Sequence, residues 1–356
     1  MPTTRRALGA ALLAMPALAA EPGGPIQPSA PGGAPAIGPK SGGPIQPSAP
    51  GGAPAIGPPW PTHPLRIIVP WAPGGGVDII ARGLAAPLAE ALGQPCLVEN
   101  RTGGGGIIGM GEAARAAPDG HTLLALDNSY TMLPHTMRSL PWDHANAFAP
   151  LVLGASGPFM ILLRAGLDHP NLAAFIAAAR AAPEKFSFGS GGAGSSPHFA
   201  TEDFQAQSGI RLLHIPFRGG AEAMLAVAAG QVDLVLATVS AAQGQLAAGR
   251  LRALALCAPA RSALVPDVPT ATEAGLPGFT GGIWAGLAVP RGTPEAVQAR
   301  LAAEAQAALR NPALRQRFAA QGLEPSGLGR AEFAALVREE TTRWGRVAAA
   351  ARIEKS

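Results

Sequence analysis

The sequence of 356 residues predicts an α/β fold with largely parallel strands, divided between two sheets of about five strands each. Short runs rich in β-branched residues alternate with segments of helical period. Glycine-rich turns connect several of these strands to the helix that follows. About 300 residues follow the first 59 positions, which is enough for one large or two medium domains.

The individual elements are predicted from the first clear apolar run onward. Leu65 to Pro70 is such a run, and the residues after it place apolar side chains at helical spacing until Gly93 ends the helix. The predicted strands are 65–70, 96–99, 122–126, 159–163, 186–190, 212–215 and 234–238. The predicted helices are 77–92, 110–117, 172–181, 197–207 and 221–229.

The N-terminus is predicted to be a signal peptide over residues 1–20. Arg5 and Arg6 precede an apolar stretch, and Ala17 and Ala19 provide small residues for a signal peptidase. Paired arginines are compatible with both the twin-arginine route and the Sec route. We therefore expect export, by either route, and a periplasmic location.

Residues 21–59 are predicted to be a disordered linker rich in glycine and proline. The segment GGPIQPSAPGGAPAIGP stands at 23–39 and again at 42–58. It holds no charged and no aromatic side chain, so it cannot bury enough apolar surface to offset the entropy of ordering the chain. An extended, polyproline-like tether is expected.

Composition argues against several function classes. The chain has 27 basic and 23 acidic residues, no run of five basic residues and one tyrosine, which argues against a nucleic-acid groove. The seven histidines show no metal-binding spacing. Cys96 and Cys257 are interpreted as two small buried residues, although an oxidising compartment would permit one disulfide. We expect neither a metal nor a cofactor.

Two glycine-rich turns are candidate anion sites. Gly74 to Gly76 follow the first strand, and Gly189 to His198 follow a later one, with Ser195 or Ser196 as N-cap and Pro197 at the first helical position. Free N–H groups at the start of a helix attract anions. Two such turns in different halves of the chain predict a ligand held between two lobes, while tight turns without a ligand remain the alternative.

Eight short motifs occur in an order that is typical of one family. They are residues 69–78, 98–101, 118–124, 230–233, 249–255, 266–270, 273–278 and 292–294. In this order they resemble the Bug-type extracytoplasmic solute receptors, the binding-protein component of tripartite tricarboxylate transporters. The resemblance extends over residues 60–353.

The resemblance implies a two-lobe periplasmic binding protein that closes like a Venus flytrap on a small organic carboxylate. Lobe 1 would comprise residues 60–165 and 283–356, and lobe 2 residues 166–282. The protein would deliver its ligand, a di- or tricarboxylate, an amino-acid-like acid or an aromatic acid, to membrane permease subunits. It would not be an enzyme and would need no cofactor.

The resemblance also implies ligand contacts by Gly74, Gly75 and Asp78, whose family counterparts supply backbone amides to the carboxylate. Asp78 has a structural alternative, in which it complements the helix dipole and pairs with Arg82. Arg218 stands where the family usually has lysine, and it either grips a carboxylate or pairs with a structural acid.

Six further residues are predicted ligand contacts from their position. Trp71, Ser129 and Thr238 follow or end predicted strands at the expected rim, and Trp71 could instead pack in the core. The remaining three lie in the second glycine-rich turn: Ser190, Ser195 and His198.

An exported enzyme is the alternative function. Gly104, Gly106 and Gly109 match the spacing of a dinucleotide fingerprint, with Asp127 downstream, which would suit an oxidoreductase. The three glycines do not follow a strand directly. A hydrolase could use Ser190, Ser195, His198 and Asp203, although no nucleophile-elbow motif is present.

Overall fold

The computed structural model describes residues 60–355. The predicted signal peptide and the whole predicted linker therefore lie outside the described residues. The strands are β1 (Leu65–Val69), β2 (Cys96–Asn100), β3 (Thr122–Asp127), β4 (Phe148–Arg164), β5 (Ser187–Ser190), β6 (Leu213–Pro216), β7 (Leu234–Thr238), β8 (Leu251–Leu256), β9 (Gly282–Pro290) and β10 (Glu324–Pro325). The helices are α1 (Gly76–Leu92), α2 (Ile107–Ala114), α3 (Ser129–Thr136), α4 (Leu172–Ala181), α5 (Ser196–Ser208), α6 (Gly220–Ala228), α7 (Val239–Ala247), α8 (Glu295–Arg310), α9 (Pro312–Ala319) and α10 (Arg330–Ala350).

Each predicted strand and helix is present, and most bounds differ by a few residues. α4 and β7 have the predicted bounds. The largest difference is at β4, which begins at Phe148 rather than at residue 159. Pro150, Gly154, Gly157 and Pro158 interrupt the strand pattern in that stretch, since glycine and proline are unusual inside strands.

Strand pairing corrects the expectation of two separate sheets. The ten strands form one connected sheet in which the order β2-β1-β3-β9-β4-β7-β5-β6 is continuous, and β8 and β10 also pair with β4. β4 is long enough to serve both halves: Phe148 to Pro158 pair with β9, and Phe159 to Leu163 pair with β7.

Parallel and antiparallel pairings occupy different places in the sheet. β1 pairs in parallel with β2 and β3, and β5 pairs in parallel with β6 and β7, as the alternation with helices predicts. The antiparallel pairings among the described strands all involve β4 or β9. These two strands connect the halves, so the chain crosses between the halves along them.

The buried side chains form two groups on either side of this crossing. Two large apolar clusters draw their buried residues from 60–155 and 284–333, and two others from 159–279. The division falls inside β4, near Gly157 and Pro158. The predicted lobe boundaries at 165/166 and 282/283 stay a prediction.

Among the helices of residues 60–355, none combines the length and the hydropathy that a membrane span requires.

Candidate ligand-binding cleft

A cavity of about 210 Å³ lies between the two groups of core residues. Its lining comes from both groups and is mostly backbone and apolar side chains. The lining residues are Trp71, Ala72, Pro73, Gly74, Gly75, Gly76, Val77, Asp127, Phe159, Gly191, Ser195, Ser196, Pro197, Gly219, Gly220, Ala221, Met224, Leu236, Ala237, Thr238, Ala241 and Ile283.

Four helices begin at this cavity. The N-cap residues of α1, α5, α6 and α7 are Gly75, Ser195, Gly219 and Thr238, and all four line it. α1 belongs to one core group, and α5 to α7 follow strands of the other. The N-terminus of a helix carries a partial positive charge and unpaired N–H groups. The cavity is therefore favourable for an anion, although no lysine, arginine or histidine lines it in the described chain.

The backbone amides that remain available come chiefly from α1 and α6. The first helical bonds run from Ile79 N–H to Gly75 O and from Ala223 N–H to Gly219 O, so the amides just before Ile79 and Ala223 have no partner within the helix. In α1 these include Gly76 and Val77, and in α6 Gly220 and Ala221, all of which line the cavity.

The first glycine turn is held in place by Asp78. Oδ2 of Asp78 accepts a hydrogen bond of 2.9 Å from Gly74 N–H and another of 2.9 Å from Arg82 Nε, and Oδ1 accepts one from Asn100. Burial acts to raise the pKa of Asp78, but these hydrogen bonds outweigh it and lower the pKa. Gly74 adopts φ of 83°, a left-handed conformation that favours glycine. Asp78 thus shapes the turn without lining the cavity, and the Gly74 amide is already occupied.

Asp127 is the ionisable side chain of the cavity lining. It is 2% exposed. Oδ2 accepts a hydrogen bond of 3.0 Å from Trp71 Nε1, and Ser129 Oγ lies 2.8 Å from both carboxylate oxygens. Burial raises the pKa of Asp127 to about 7, and the hydrogen bonds from Ser129 and Trp71 oppose this rise.

Five of the ten predicted ligand contacts line the cavity, namely Trp71, Gly74, Gly75, Ser195 and Thr238. Ser129 is fully buried, and its hydroxyl instead donates a hydrogen bond to Asp127. Ser190 is buried, and its Oγ lies 2.7 Å from His214 Nε2. Neither Ser129 nor Ser190 lines the cavity, and Asp78 also lies outside it.

His198 and Arg218 lie in other surroundings. The His198 ring stacks on that of His214 with centroids 4.3 Å apart, and burial, with the nearby His214 charge, lowers the pKa of His198 to about 3. Arg218 lines a separate cavity of about 530 Å³ together with Gly103 to Gly105. Its backbone N–H donates to Glu222 at 3.1 Å.

Sequence reasoning missed two parts of the cavity. Asp127 was considered only as a partner of a dinucleotide ribose, although its place at the end of β3 was a usable signal. The start of α6, from Gly219 to Ala221, follows β6 after a short glycine-containing turn, the same pattern that had indicated Gly74 to Gly76.

One group of side chains in the described part has the composition of a metal site. Donor atoms of His63, Asp119 and His121 lie within 4.8 Å of one another. The rings of His63 and His121 stack with centroids 3.7 Å apart, so their in-plane lone pairs do not point at a common centre, and His121 Nε2 accepts from Thr62 N–H. None of these residues lines the cavity.

Comparison with known proteins identifies the family. Residues 80–353 match the tripartite tricarboxylate transporter family receptor. The chain belongs to this receptor family. The family resemblance drawn from the eight motifs is therefore confirmed.

Three solved structures resemble this receptor. The periplasmic binding protein BugD is 30% identical, with a TM-score of 0.78 over 83% of this chain and 100% of that chain. The R. palustris protein Rpa4515, solved with adipate, is 30% identical, with a TM-score of 0.79 and the same coverage. MatC from Rhodopseudomonas palustris, solved with malate, is 33% identical, with a TM-score of 0.75 over 81% of this chain and 100% of that chain. The two-lobe periplasmic binding protein fold is thus confirmed.

As a member of this family the chain is a transport receptor and not an enzyme. The geometry agrees for both enzyme alternatives. Gly104 to Gly106 form a short 3-10 turn that does not line the cavity of Asp127, so the dinucleotide fingerprint is not assembled there. Ser190 is fully buried and lies next to His214, and the Ser195 hydroxyl donates to Gly192 O, so neither serine of the hydrolase alternative is hydrogen-bonded to His198.

A larger and more open groove of about 850 Å³ runs along the crossing strands and α10 of this receptor. Arg261, Arg315 and Arg343 are among its lining residues. Arg261 and Arg343 pair with acidic side chains, Glu273 and Glu340 respectively. Among the helix N-cap residues of the described chain, Asn128 of α3 lines this groove, whereas four N-cap residues line the 210 Å³ cavity.

Proposed function

We propose that this receptor captures a small organic carboxylate in the 210 Å³ cavity and delivers it to the permease of a tripartite tricarboxylate transporter. The observation that carries the proposal is the convergence of four helix N-termini on one cavity, which no basic side chain of residues 60–355 lines. Backbone amides donate charge-assisted hydrogen bonds to a carboxylate, and these are stronger in a site that excludes water.

The size of the cavity supports a small ligand. Its 210 Å³ is below the range of about 300–1,000 Å³ that is usual for drug-sized ligands. The solved relatives with adipate and malate carry short dicarboxylates, which suit a cavity with two groups of amide donors. We extend that ligand class, small carboxylates, to this receptor.

The proposed place of action is the periplasm. Residues 1–20 would direct export, and residues 21–59 would remain at the N-terminus of the exported receptor. Support comes from the basic and apolar pattern of the N-terminus and from the family of periplasmic receptors.

A thermal-shift screen of the purified exported chain tests the function. Mono-, di- and tricarboxylates, aromatic acids and nucleotides are added at equal concentration. A ligand at a hundredfold excess over its Kd stabilises the folded state by about 2.7 kcal/mol, which raises the melting temperature by several degrees. Stabilisation by at least one carboxylate is expected. Stabilisation by nucleotides alone, or by no acid, would contradict the proposal.

The site is tested by Gly75→Asp, with Gly75→Ala as its matched control. A Cβ at Gly75 would meet only Ala72 O, at 3.7 Å, so both variants should fold. The aspartate adds a negative charge at the start of α1, and carboxylate affinity should fall by about tenfold or more. Calorimetric titration of both variants, with melting curves, measures this effect. Equal affinity of the two variants would remove this turn from the site.

A further inference from the structure

The cavity combines anion-attracting helix ends with one buried acid. In the described chain Asp127 is the sole ionisable residue among the lining residues. An incoming carboxylate would therefore share the cavity with a second carboxyl group. A ligand of this receptor must therefore be compatible with both the helix N-termini and the carboxyl group of Asp127.

Asp127 has hydrogen-bond donors but no counter-ion. Trp71 and Ser129 donate to its oxygens. Within residues 60–355, no lysine, arginine or histidine forms an ion pair with it. A charged group buried without a partner of opposite charge is costly, and ion pairing with a ligand removes much of that cost.

Two other acidic groups beside the glycine turns are already engaged. Asp78 is engaged with Arg82, and Glu222 accepts from the Arg218 amide. The described lining thus offers a carboxylate amides that include those of Gly76, Val77, Gly220 and Ala221, and Asp127 is the one charged group that it offers a cation.

We propose that Asp127 is an ammonium subsite, and that the preferred ligands of this receptor are small amino acids rather than amino-free carboxylates. This inference rests on the proposed capture of a carboxylate. The ligand carboxylate binds the amides at the starts of α1 and α6, and its ammonium group binds the Asp127 carboxylate. Phe159, Met224 and Leu236 provide an apolar wall for the carbon chain.

The test uses pairs of acids that differ only in the amino group. L-aspartate is compared with succinate, L-glutamate with glutarate, and L-leucine with 4-methylpentanoate, by calorimetric titration of the full exported receptor. In the pairs that bind, the amino member should bind about tenfold or more tightly, because a hydrogen bond to a charged group contributes that much. This comparison needs no variant.

Asp127→Asn then links the preference to the residue. The variant keeps the shape of the side chain and removes its charge, so the amino member should lose affinity and the preference should disappear, while the amino-free acid, with no like charge beside it, should bind at least as tightly as in wild type. Asp168→Asn, at an exposed position, is the matched control and should keep the preference. Melting curves and circular dichroism verify that both variants are folded.

The outcomes separate this inference from the proposed function. Amino-free acids that bind wild type as tightly as their amino partners overturn the ammonium subsite and leave carboxylate capture intact. A preference that survives in Asp127→Asn also overturns the subsite. If no carboxylate of any kind binds, the proposed function itself fails.

Discussion

The side chains of Trp71, Asp127 and Ser129 behave as one unit at the base of the cavity. The indole N–H and the serine hydroxyl both donate to the same carboxyl group. Trp71 was expected either to wall the pocket or to pack in the core, and it does both, since it lines the cavity and packs against the first apolar cluster. Its polar atom holds Asp127 in position.

The raised pKa of Asp127 predicts a pH dependence of stability. Its pKa in the folded state is about 7, above the unfolded value of 3.8. The folded state therefore binds more protons between these values, and stability falls as the pH rises through about 7. Asp127 should therefore contribute a few kcal/mol more to stability at pH 5 than at pH 8, given about 1.4 kcal/mol per pKa unit.

Asp127→Asn is the control for this pH effect. Asparagine does not titrate, so the variant should lose the Asp127 contribution, and the melting temperature of wild type relative to the variant should be higher at pH 5 than at pH 8. Burial lowers the pKa of His144, His198 and His214 from 6.5 to about 4, 3 and 4, so these residues oppose Asp127. Below about pH 6.5 the unfolded chain binds more protons at them than the folded chain, and they lower stability at pH 5 in wild type and variant alike. An equal change of melting temperature between pH 8 and pH 5 in wild type and in Asp127→Asn would contradict the assignment.

Helix α6 illustrates how an element contributes to the site through its backbone. Its N-cap Gly219 is extended, with φ of −174° and ψ of 162°, and Gly220 is the first helical residue. A Cβ at Gly220 would meet no atom within 4 Å. Proline is tolerated at the first position of a helix, where it removes the N–H without breaking the helix.

Gly220→Pro should therefore weaken ligand binding without unfolding the receptor. The variant removes one amide that faces the cavity, and the loss of one charge-assisted hydrogen bond lowers affinity by about tenfold or more. Gly220→Ala keeps the amide and serves as control. Calorimetric titration with the tightest carboxylate measures both. Identical affinities of the two variants would show that the start of α6 does not contact the ligand.

The two halves of the receptor meet where β4 crosses β9. Pro158 pairs with Gly282, and Gly157 pairs with Ile283. A Cβ at Gly282 would overlap the backbone carbonyl oxygen of Gly157, well inside van der Waals contact. The crossing thus depends on a glycine that lets two backbones approach closely.

Gly282→Ala should destabilise the receptor through this crossing. Relief of the overlap requires the backbones to separate, and overpacking of this kind costs about 1–3 kcal/mol. Gly281→Ala is the adjacent control, since its Cβ would lie at ordinary distances, 3.6 Å from the nearest atom. Denaturant unfolding compares the two variants. If both unfold at the same denaturant concentration, the close approach at the crossing does not limit stability.

The local sequence pattern was sufficient to predict the α/β class and most of the helices and strands. β-branched runs and helical periods are properties of neighbouring residues, and α4 and β7 were predicted to the residue for that reason. The order of the motifs was also sufficient for the family. The glycine turn at Gly74 to Gly76 was predicted at the cavity because a strand followed by glycines and a helix places free amides at one point.

Pairing between strands that are far apart in the sequence cannot be predicted from the local sequence pattern. β4 extends back to Phe148 because β9, which lies far along the chain, pairs with it. The prolines and glycines of this part of β4 have a low propensity for strands, so the pairing with β9 keeps the segment extended. The same limit applies to Asp127, Gly219 and Gly220, which share a cavity only after the two halves come together. Sequence establishes which segments can supply amides or charge, and the fold establishes which of them meet, since distances between remote segments depend on packing.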